Sequence, residues 1–294
     1  MKKITYIILA VCCLTGCKKG NFDWAGMWNG QSPYTNVRFD HSMEYNQTHP
    51  FKTIPVSQNN YRIYVCTDTH IDSTNRNFTK FVNLYHHDPN CPIAIHLGDM
   101  VNADGNYPKM MEAWYADDRT DKSKWDTLFP VVGNHDIYYG QWTEYRKYFG
   151  TATYWFDTQG PSGEKLDLFI VFDSSNGTLQ TKQMKWLKNV LQTKSKEGYR
   201  HIIAVTHTNL FFPYSAHGSG ANAGFALEET YEIADLLAKN KVEMYWCGHE
   251  HARELYKFNG IDFITVSTLQ DPVNPAYYMV VEMGENISYH FEKI

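Results

Sequence analysis

Cysteine is scarce in the body of this chain. Three of its six cysteines fall within the first seventeen residues, and beyond Cys17 only Cys66, Cys91 and Cys247 remain. An odd number without paired spacing implies no disulfide framework. Cys66 and Cys247 lie inside strand-like apolar runs and read as buried thiols rather than ligands. Basic runs, internal repeats and low-complexity stretches are also missing. With 27 Lys and Arg against 32 Asp and Glu, the formal charge of −5 argues against a nucleic-acid polymer or an anionic bilayer as an electrostatically held partner. A hydrophobic content of 43% excludes general disorder, and 294 residues suffice for one large α/β domain or two small ones.

The amino terminus reads differently from the rest. Lys2 and Lys3 precede the apolar run Ile4 to Val11, too short for a permanent span, so residues 1–16 are expected to be a signal peptide. Leu14-Thr15-Gly16-Cys17 looks like the lipobox of bacterial lipoproteins. That resemblance implies cleavage before Cys17, lipidation of Cys17, and a chain held to the cell envelope by acyl chains without spanning the membrane. Losing Lys2 and Lys3 takes the formal charge to −7. Lys18 is not the aspartate associated with inner-membrane retention, which favours the outer membrane. Residues 17–60 are polar and rich in turn formers (Asn29-Gly30, Ser32-Pro33, His49-Pro50), with no sustained period of 2 or 3.6. They suit a tether followed by an extended segment packed on the domain, with Trp24 and Trp28 as anchors.

From Tyr61 to the end, residues 61–294, the pattern is regular. Strands are expected at 61–67, 92–97, 128–132, 154–156, 166–172, 201–206 and 242–247, and helices at 78–86, 108–115, 141–149, 180–191 and 228–240, before a β-rich end over 254–291. This alternation argues an α/β fold with a largely parallel sheet covered on both faces, the final strands extending it or forming a second sheet.

Five places put metal-type side chains just after a strand. They are Asp68-Thr69-His70, Gly98-Asp99, Gly133-Asn134-His135-Asp136, His207, and Gly248-His249-Glu250-His251. Strand carboxyl ends are where open α/β sheets bind ligands, so all five should meet on one rim. Cations such as Mn²⁺, Fe²⁺ and Zn²⁺ accept carboxylate, amide and imidazole ligands, and a set of this size holds two of them if one carboxylate bridges. Each motif alone is weak: Asp-x-His is common, a single histidine is more often structural, and Gly-Asp is a turn dipeptide.

Together, and in this order, the five resemble the signature of the calcineurin-like metallophosphoesterase superfamily, over Tyr61 to about Thr268. The resemblance implies a four-layer α/β/β/α sandwich, two mixed sheets flanked by helices, and a pair of divalent metal ions (Mn, Fe, Zn or a mixture). It also implies that Asp68, His70 and His251 bind one metal, that Asn134, His207 and His249 bind the other, and that Asp99 bridges. His135 is then a general acid facing the leaving group, and Asp173-Ser174-Ser175, Gln183 and Trp186-Leu187 mark a strand end followed by a helix. The chemistry is intelligible. A phosphate ester repels hydroxide, so hydrolysis needs water acidified by a metal pair and positive charge for the phosphoryl oxygens.

Departures narrow the branch. Purple acid phosphatases carry Asp-x-Gly and a tyrosine where this chain has His70 and Asn102, and Ser/Thr protein phosphatases carry an aspartate at that second position, followed by Arg-Gly. The branch acting on a lipid A precursor has arginine where His135 stands. Without the usual aspartate at Asn102, the partner orienting His135 is expected to be Asp136 or Asp72; a plain helix cap is the alternative for Asp136. Specificity should lie on rim loops: Phe211 to Gly224 with His217, and Asp136 to Trp142, where Tyr138, Tyr139 and Trp142 are candidates to stack on a base or cover the site. His41, His49, His86, His87, His96, His201 and His290 have no motif context. The expected substrate is a small phosphomonoester or phosphodiester, with nucleotides and cyclic nucleotides included. A rival reading, a non-catalytic metal-binding lipoprotein that keeps the fold, would be favoured by loss of His135 or of a ligand; neither is lost.

Overall fold

The computed structural model describes residues 34–102, 105–115, 127–211 and 224–294. Among these described residues, twelve strands form two sheets. β1 (Thr53–Pro55), β5 (Tyr154–Gln159), β6 (Lys165–Val171), β7 (His201–Val205), β8 (Met244–Cys247), β9 (Glu254–Phe258) and β10 (Ile261–Thr265) make a seven-stranded sheet in the order β1-β5-β6-β7-β8-β10-β9. β2 (Tyr61–Cys66), β3 (Ile93–His96), β4 (Leu128–Pro130), β11 (Tyr277–Met283) and β12 (Ser288–Lys293) make a five-stranded sheet in the order β12-β11-β2-β3-β4. Both are mixed: β2, β3 and β4 pair in parallel, as do β6, β7, β8 and β10, while β5–β6, β9–β10, β2–β11 and β11–β12 are antiparallel. The two mixed sheets implied by the resemblance are present, and of the two outcomes left open by periodicity, one extended sheet or a second sheet, there is a second sheet. The terminal strands split, β9 and β10 joining one sheet while β11 returns to pair with β2.

Alternation along the strands explains the layering. Ile63 and Val65 of β2 face the interior between the sheets, meeting Phe169 and Val171 of β6, Ile203 and Val205 of β7, and Trp246. Their neighbours Tyr64 and Cys66 face outward, onto α2 (Arg76–His87), α3 (Tyr107–Trp114) and α4 (Trp142–Phe149). Leu168 and Ile170 do the same on the other sheet, beneath α5 (Gln180–Lys194) and α6 (Leu227–Lys239). A period of two puts each strand's apolar residues on both faces, which is possible only when both are covered. The result is the four-layer α/β/β/α arrangement. Cys66, Cys91 and Cys247 are buried thiols outside any disulfide among the described residues, as expected.

One segment departs from expectation. The stretch preceding β1, expected to be extended, forms a helix, α1 (Thr35–Thr48). Its buried residues are Thr35, Arg38 and Ser42. These lie three and four apart, a helical stripe, but the stripe is polar, so hydrophobic periodicity carries no sign of it. Residues 1–33, including Cys17, lie outside the described residues. No helix among the described residues is long and apolar enough to cross a membrane.

Candidate metal centre

The carboxyl ends of β2, β3 and β4 meet those of β7 and β8 along one rim, so both sheets contribute to a single cluster. Asp68, His70 and His251 offer ligand atoms within 4.8 Å of one another; so do Asp99, His207 and His249, and so do His70, Asp99 and His135. Asp99 Oδ2 lies 3.7 Å from His70 Nε2 and 3.4 Å from His207 Nε2, between the first two groups. Asn134 completes the second, with its Oδ1 3.0 Å from His207 Nε2. The structure thus brings together every residue that the sequence assigned to metal binding.

The backbone here is unusual. Asp68, His70, Asp99, His249 and His251 have φ of 51, 42, 54, 74 and 56°, all in the left-handed region. A non-glycine residue held there costs of order 1–3 kcal/mol and persists only where its surroundings over-determine it. The determinants are visible. The amides of Asp68 and His70 donate to Gly98 O and Asp99 O, each at 3.0 Å, and His249 N donates to Asp68 Oδ2 at 2.9 Å. Gly133 and Gly248 allow the loops to approach this closely. A Cβ on Gly133 would collide with the amide and Oδ1 of Asp99, and one on Gly248 with Thr67 Oγ1 and Asp68 Oδ2. Gly133 is not itself left-handed, so its role is close approach rather than a tight turn out of β4.

Asp136 sits under the cluster, fully buried. Its carboxylate accepts from Gly133 N (2.8 Å), Asp99 N (2.9 Å), Met100 N (3.0 Å) and the Tyr107 hydroxyl (3.2 Å). Neither expectation for it holds: it orients no imidazole and caps no helix, because its lone pairs are spent fastening the Gly98–Val101 loop to the Gly133 loop. Burial and the nearby Asp99 charge push its pKa up to about 7. Asp72 is not the partner of His135 either; its carboxylate turns to Ser73, accepting from Oγ at 2.8 Å. Asn102 contributes backbone bonds, to Ile71 O and from Gly105 N. His135 stands with its ring edge-on to His70, centroids 4.6 Å apart, its amide on Asp99 Oδ1 at 2.8 Å, and its Nδ1 buried without a hydrogen bond.

Charge is concentrated with little solvent to screen it. Burial alone would raise Asp99, yet the adjacent His207 holds its carboxyl below the usual range, and Asp99 in turn pushes His207 up to about 10 against burial. Burial and His207 push His249 down to about 4. His207 Nδ1 donates to Leu97 O at 2.8 Å, which turns Nε2 toward Asp99 and Asn134.

The donor set fits a pair of divalent cations on two observations. Asp68 Oδ1 is buried and accepts no hydrogen bond, an orphan that normally costs stability. Ring nitrogens also face ring nitrogens: His70 Nε2 lies 3.0 Å from His251 Nε2, and His249 Nδ1 lies 3.2 Å from His207 Nε2. Shared cations would satisfy the orphan oxygen and the opposed nitrogens at once, with ligand types suited to Mn, Fe or Zn.

Of the loop candidates, Tyr138 lies 5.3 Å from the His135 ring and accepts a hydrogen bond from Asn134 Nδ2 at 3.0 Å, which leaves Asn134 Oδ1 for the site. Tyr139 is 72% exposed with φ 50°, so it is available to a ligand. Trp142 is buried and belongs to the packing, its indole N–H donated to His41 Nδ1 at 3.0 Å. His217 and residues 212–223 of the second loop lie outside the described residues. His96, one of the histidines without motif context, proves to belong to the site's foundation. It is fully buried beneath the motifs, 3.0 Å from Thr69 Oγ1 and accepting from Gly98 N at 3.2 Å, and burial pushes it down to about 3. Its position at the end of β3, two residues before Gly98, is the only signal that could have marked it.

Residues 61–253 match the profile of a family described as calcineurin-like phosphoesterase. No curated protein is a significant match. Among solved structures, a dimetal phosphatase from Danio rerio is 11% identical, with a TM-score of 0.56 over 80% of this chain and 98% of its own. Purple acid phosphatase PPD1 from yellow lupin seeds is 14% identical, with a TM-score of 0.57 over 82% of this chain and 53% of that one. GAP50, the anchor in the inner membrane complex of Plasmodium, is 17% identical, with a TM-score of 0.52 over 80% and 85%. At these identities the likeness is one of fold.

Proposed function

Because this chain belongs to the calcineurin-like phosphoesterase family, and so is a phosphoric ester hydrolase, we propose that it cleaves a small phosphomonoester or phosphodiester, nucleotides and cyclic nucleotides among them, at two divalent cations. Asp68, His70 and His251 would hold one, Asn134, His207 and His249 the other, with Asp99 shared. The observation that carries this reading is the Asp99 carboxylate lying between the two groups, 3.7 Å from His70 Nε2 and 3.4 Å from His207 Nε2.

When bound, the cations supply Lewis acidity, making water a nucleophile near neutral pH and drawing charge from the phosphoryl oxygens. The protein's own part is positioning and proton transfer. Asp68 and Asp99 provide anionic oxygens on strained but tightly bonded loops, so little reorganisation accompanies binding. His135 stands beside His70 and Asp99, and in this reading it would protonate the leaving oxygen. Burial, with His70 and His207 nearby, lowers its pKa while Asp99 opposes, and the negative charge of an arriving phosphate would restore proton affinity. We also propose that the chain is a lipoprotein attached to the bacterial outer membrane through Cys17, which fixes where it works without implying a lipid substrate.

The test uses protein from Lys18 onward, freed of metal and reloaded with Mn²⁺. Two bound ions and turnover of chromogenic mono- or diester phosphates are expected. Two bound ions with no hydrolysis of either between about pH 5 and 9 would overturn the reading. A panel of nucleotides, cyclic nucleotides and sugar phosphates then narrows the substrate, and membrane fractionation of the full chain against Cys17→Ser tests the anchor.

A further inference from the structure

α1 lies ahead of the region that matches the family, and its buried stripe is polar. Burying an arginine is unfavourable unless every donor is engaged, so the partners of Arg38 say what the helix is for. Arg38 Nε meets Asp173 Oδ2 at 2.7 Å, and its Nη2 meets Asp173 Oδ1 at 3.2 Å and Ser175 Oγ at 3.1 Å. Ser175 is tied back to Asp173 Oδ1 through its amide, at 3.0 Å, and its hydroxyl, at 2.6 Å. Between them, Ser174 Oγ accepts from Thr206 Oγ1 (2.6 Å), His207 N (3.2 Å) and Thr208 N (2.8 Å). The Asp173–Ser175 turn is thus gripped by α1 on one side and grips the backbone of His207 on the other.

A second contact follows the same logic. His41 Nδ1 accepts the Trp142 indole N–H at 3.0 Å, with the two rings 9° from parallel. Trp142 opens α4, directly after the turn that carries Tyr138, and the Tyr138 hydroxyl accepts from Asn134 Nδ2 at 3.0 Å. Through these two contacts α1 reaches His207 and Asn134. Neither contact runs to the segments of Asp68, His70 or His251.

We propose that α1 is a positioning element for one cation of the pair, the one assigned to Asn134, His207 and His249, with Arg38 a positioning residue for His207 and His41 one for Asn134. This rests on the ligand assignment under Proposed function. The physical basis is that metal affinity depends on groups that orient the ligands, whose loss typically weakens binding about 10- to 100-fold. Loosening the Asp173 turn frees the His207 backbone, and loosening Trp142 frees the turn that holds the Asn134 amide. Asp68 and His70, in the other group, keep supports of their own, the Gly98 and Asp99 carbonyls that take their amides.

The experiment titrates Mn²⁺ into metal-free protein from Lys18 onward, by calorimetry and electron paramagnetic resonance, with His251→Ala and His249→Ala used to assign each binding step. Wild-type protein should bind two ions and give the signal of a coupled pair; fewer than two would indict the ligand assignment itself before any α1 variant is made. With two bound, Arg38→Met should weaken only the His249 step, about 10- to 100-fold, so that at equal Mn²⁺ the isolated-ion signal replaces the coupled one. His41→Leu, which leaves the Arg38–Asp173 pair intact, should do the same to a smaller extent and carries the test if Arg38→Met does not fold. Folded variants in which both steps weaken equally, only the His251 step weakens, or neither changes would overturn the proposal.

Discussion

Two buried polar clusters lie at opposite ends of the strands, and they differ in what they leave undone. At the amino ends, Tyr61, Thr158, Asp167 and Arg200 join the two sheets. Asp167 Oδ2 accepts from the Tyr61 hydroxyl and from Arg200 Nη2, both at 2.6 Å, and Oδ1 accepts from Arg200 Nε at 3.0 Å, while Arg200 Nη1 finds Asn59 O at 2.8 Å. None of these residues is left-handed. At the carboxyl ends, the rim cluster holds five left-handed residues and leaves Asp68 Oδ1 and His135 Nδ1 unbonded. A satisfied, relaxed cluster is explained by folding alone. An unsatisfied, strained one is not, and the missing stabilisation points to what binds there.

Substitutions at the two ends should separate these roles. The largest effect is expected from Asp99→Asn, which removes the shared charge. Calorimetry should then show loss of paired metal binding, with hydrolysis falling to background while circular dichroism stays native. Next, His135→Ala should keep both metals but slow esters with poor leaving groups by about 10²- to 10⁴-fold, and esters with good leaving groups much less; equal losses would count against its role as an acid. Arg200→Met, at the other end, should destabilise the fold by up to about 3–5 kcal/mol in denaturant titrations because Asp167 is left buried with a single partner. In that variant metal affinity and kcat of the remaining folded protein should be unchanged. The smallest effect on stability is expected from Tyr139→Ala, within about 0.5 kcal/mol given the exposure of that ring, so any rise in KM for aryl or nucleotide esters over alkyl ones would report contact with substrate.

How legible each end was in the sequence follows from the same physics. The rim could be read because metal chemistry restricts the residue types, and because apolar runs announce the strand ends on which those types stand. His135, Asn134 and the paired histidines of Gly248-His249-Glu250-His251 were legible for that reason. The amino-end cluster was not, since Tyr61, Asp167 and Arg200 meet only when two sheets stack, and Asp167 and Arg200 are 33 residues apart. Asp136 was misread for a related reason. A carboxylate beside a histidine suggests a partner for it, but its bonds go to amides of a loop about 36 residues away, where no side-chain pattern records them.

By itself, then, the sequence determined the order of strands and helices, the family, and the set of side chains gathered on the rim, all of which follow from local hydropathy and from residue chemistry. Tertiary structure alone decided that the terminal strands divide between two sheets, that Asp136 fastens loops, that the ligand backbones are left-handed, and that α1 exists with Arg38 inside it. Those outcomes depend on polar bonds between distant segments, 135 residues apart for Arg38 and Asp173, and a buried polar stripe leaves no hydrophobic period by which it could be foreseen.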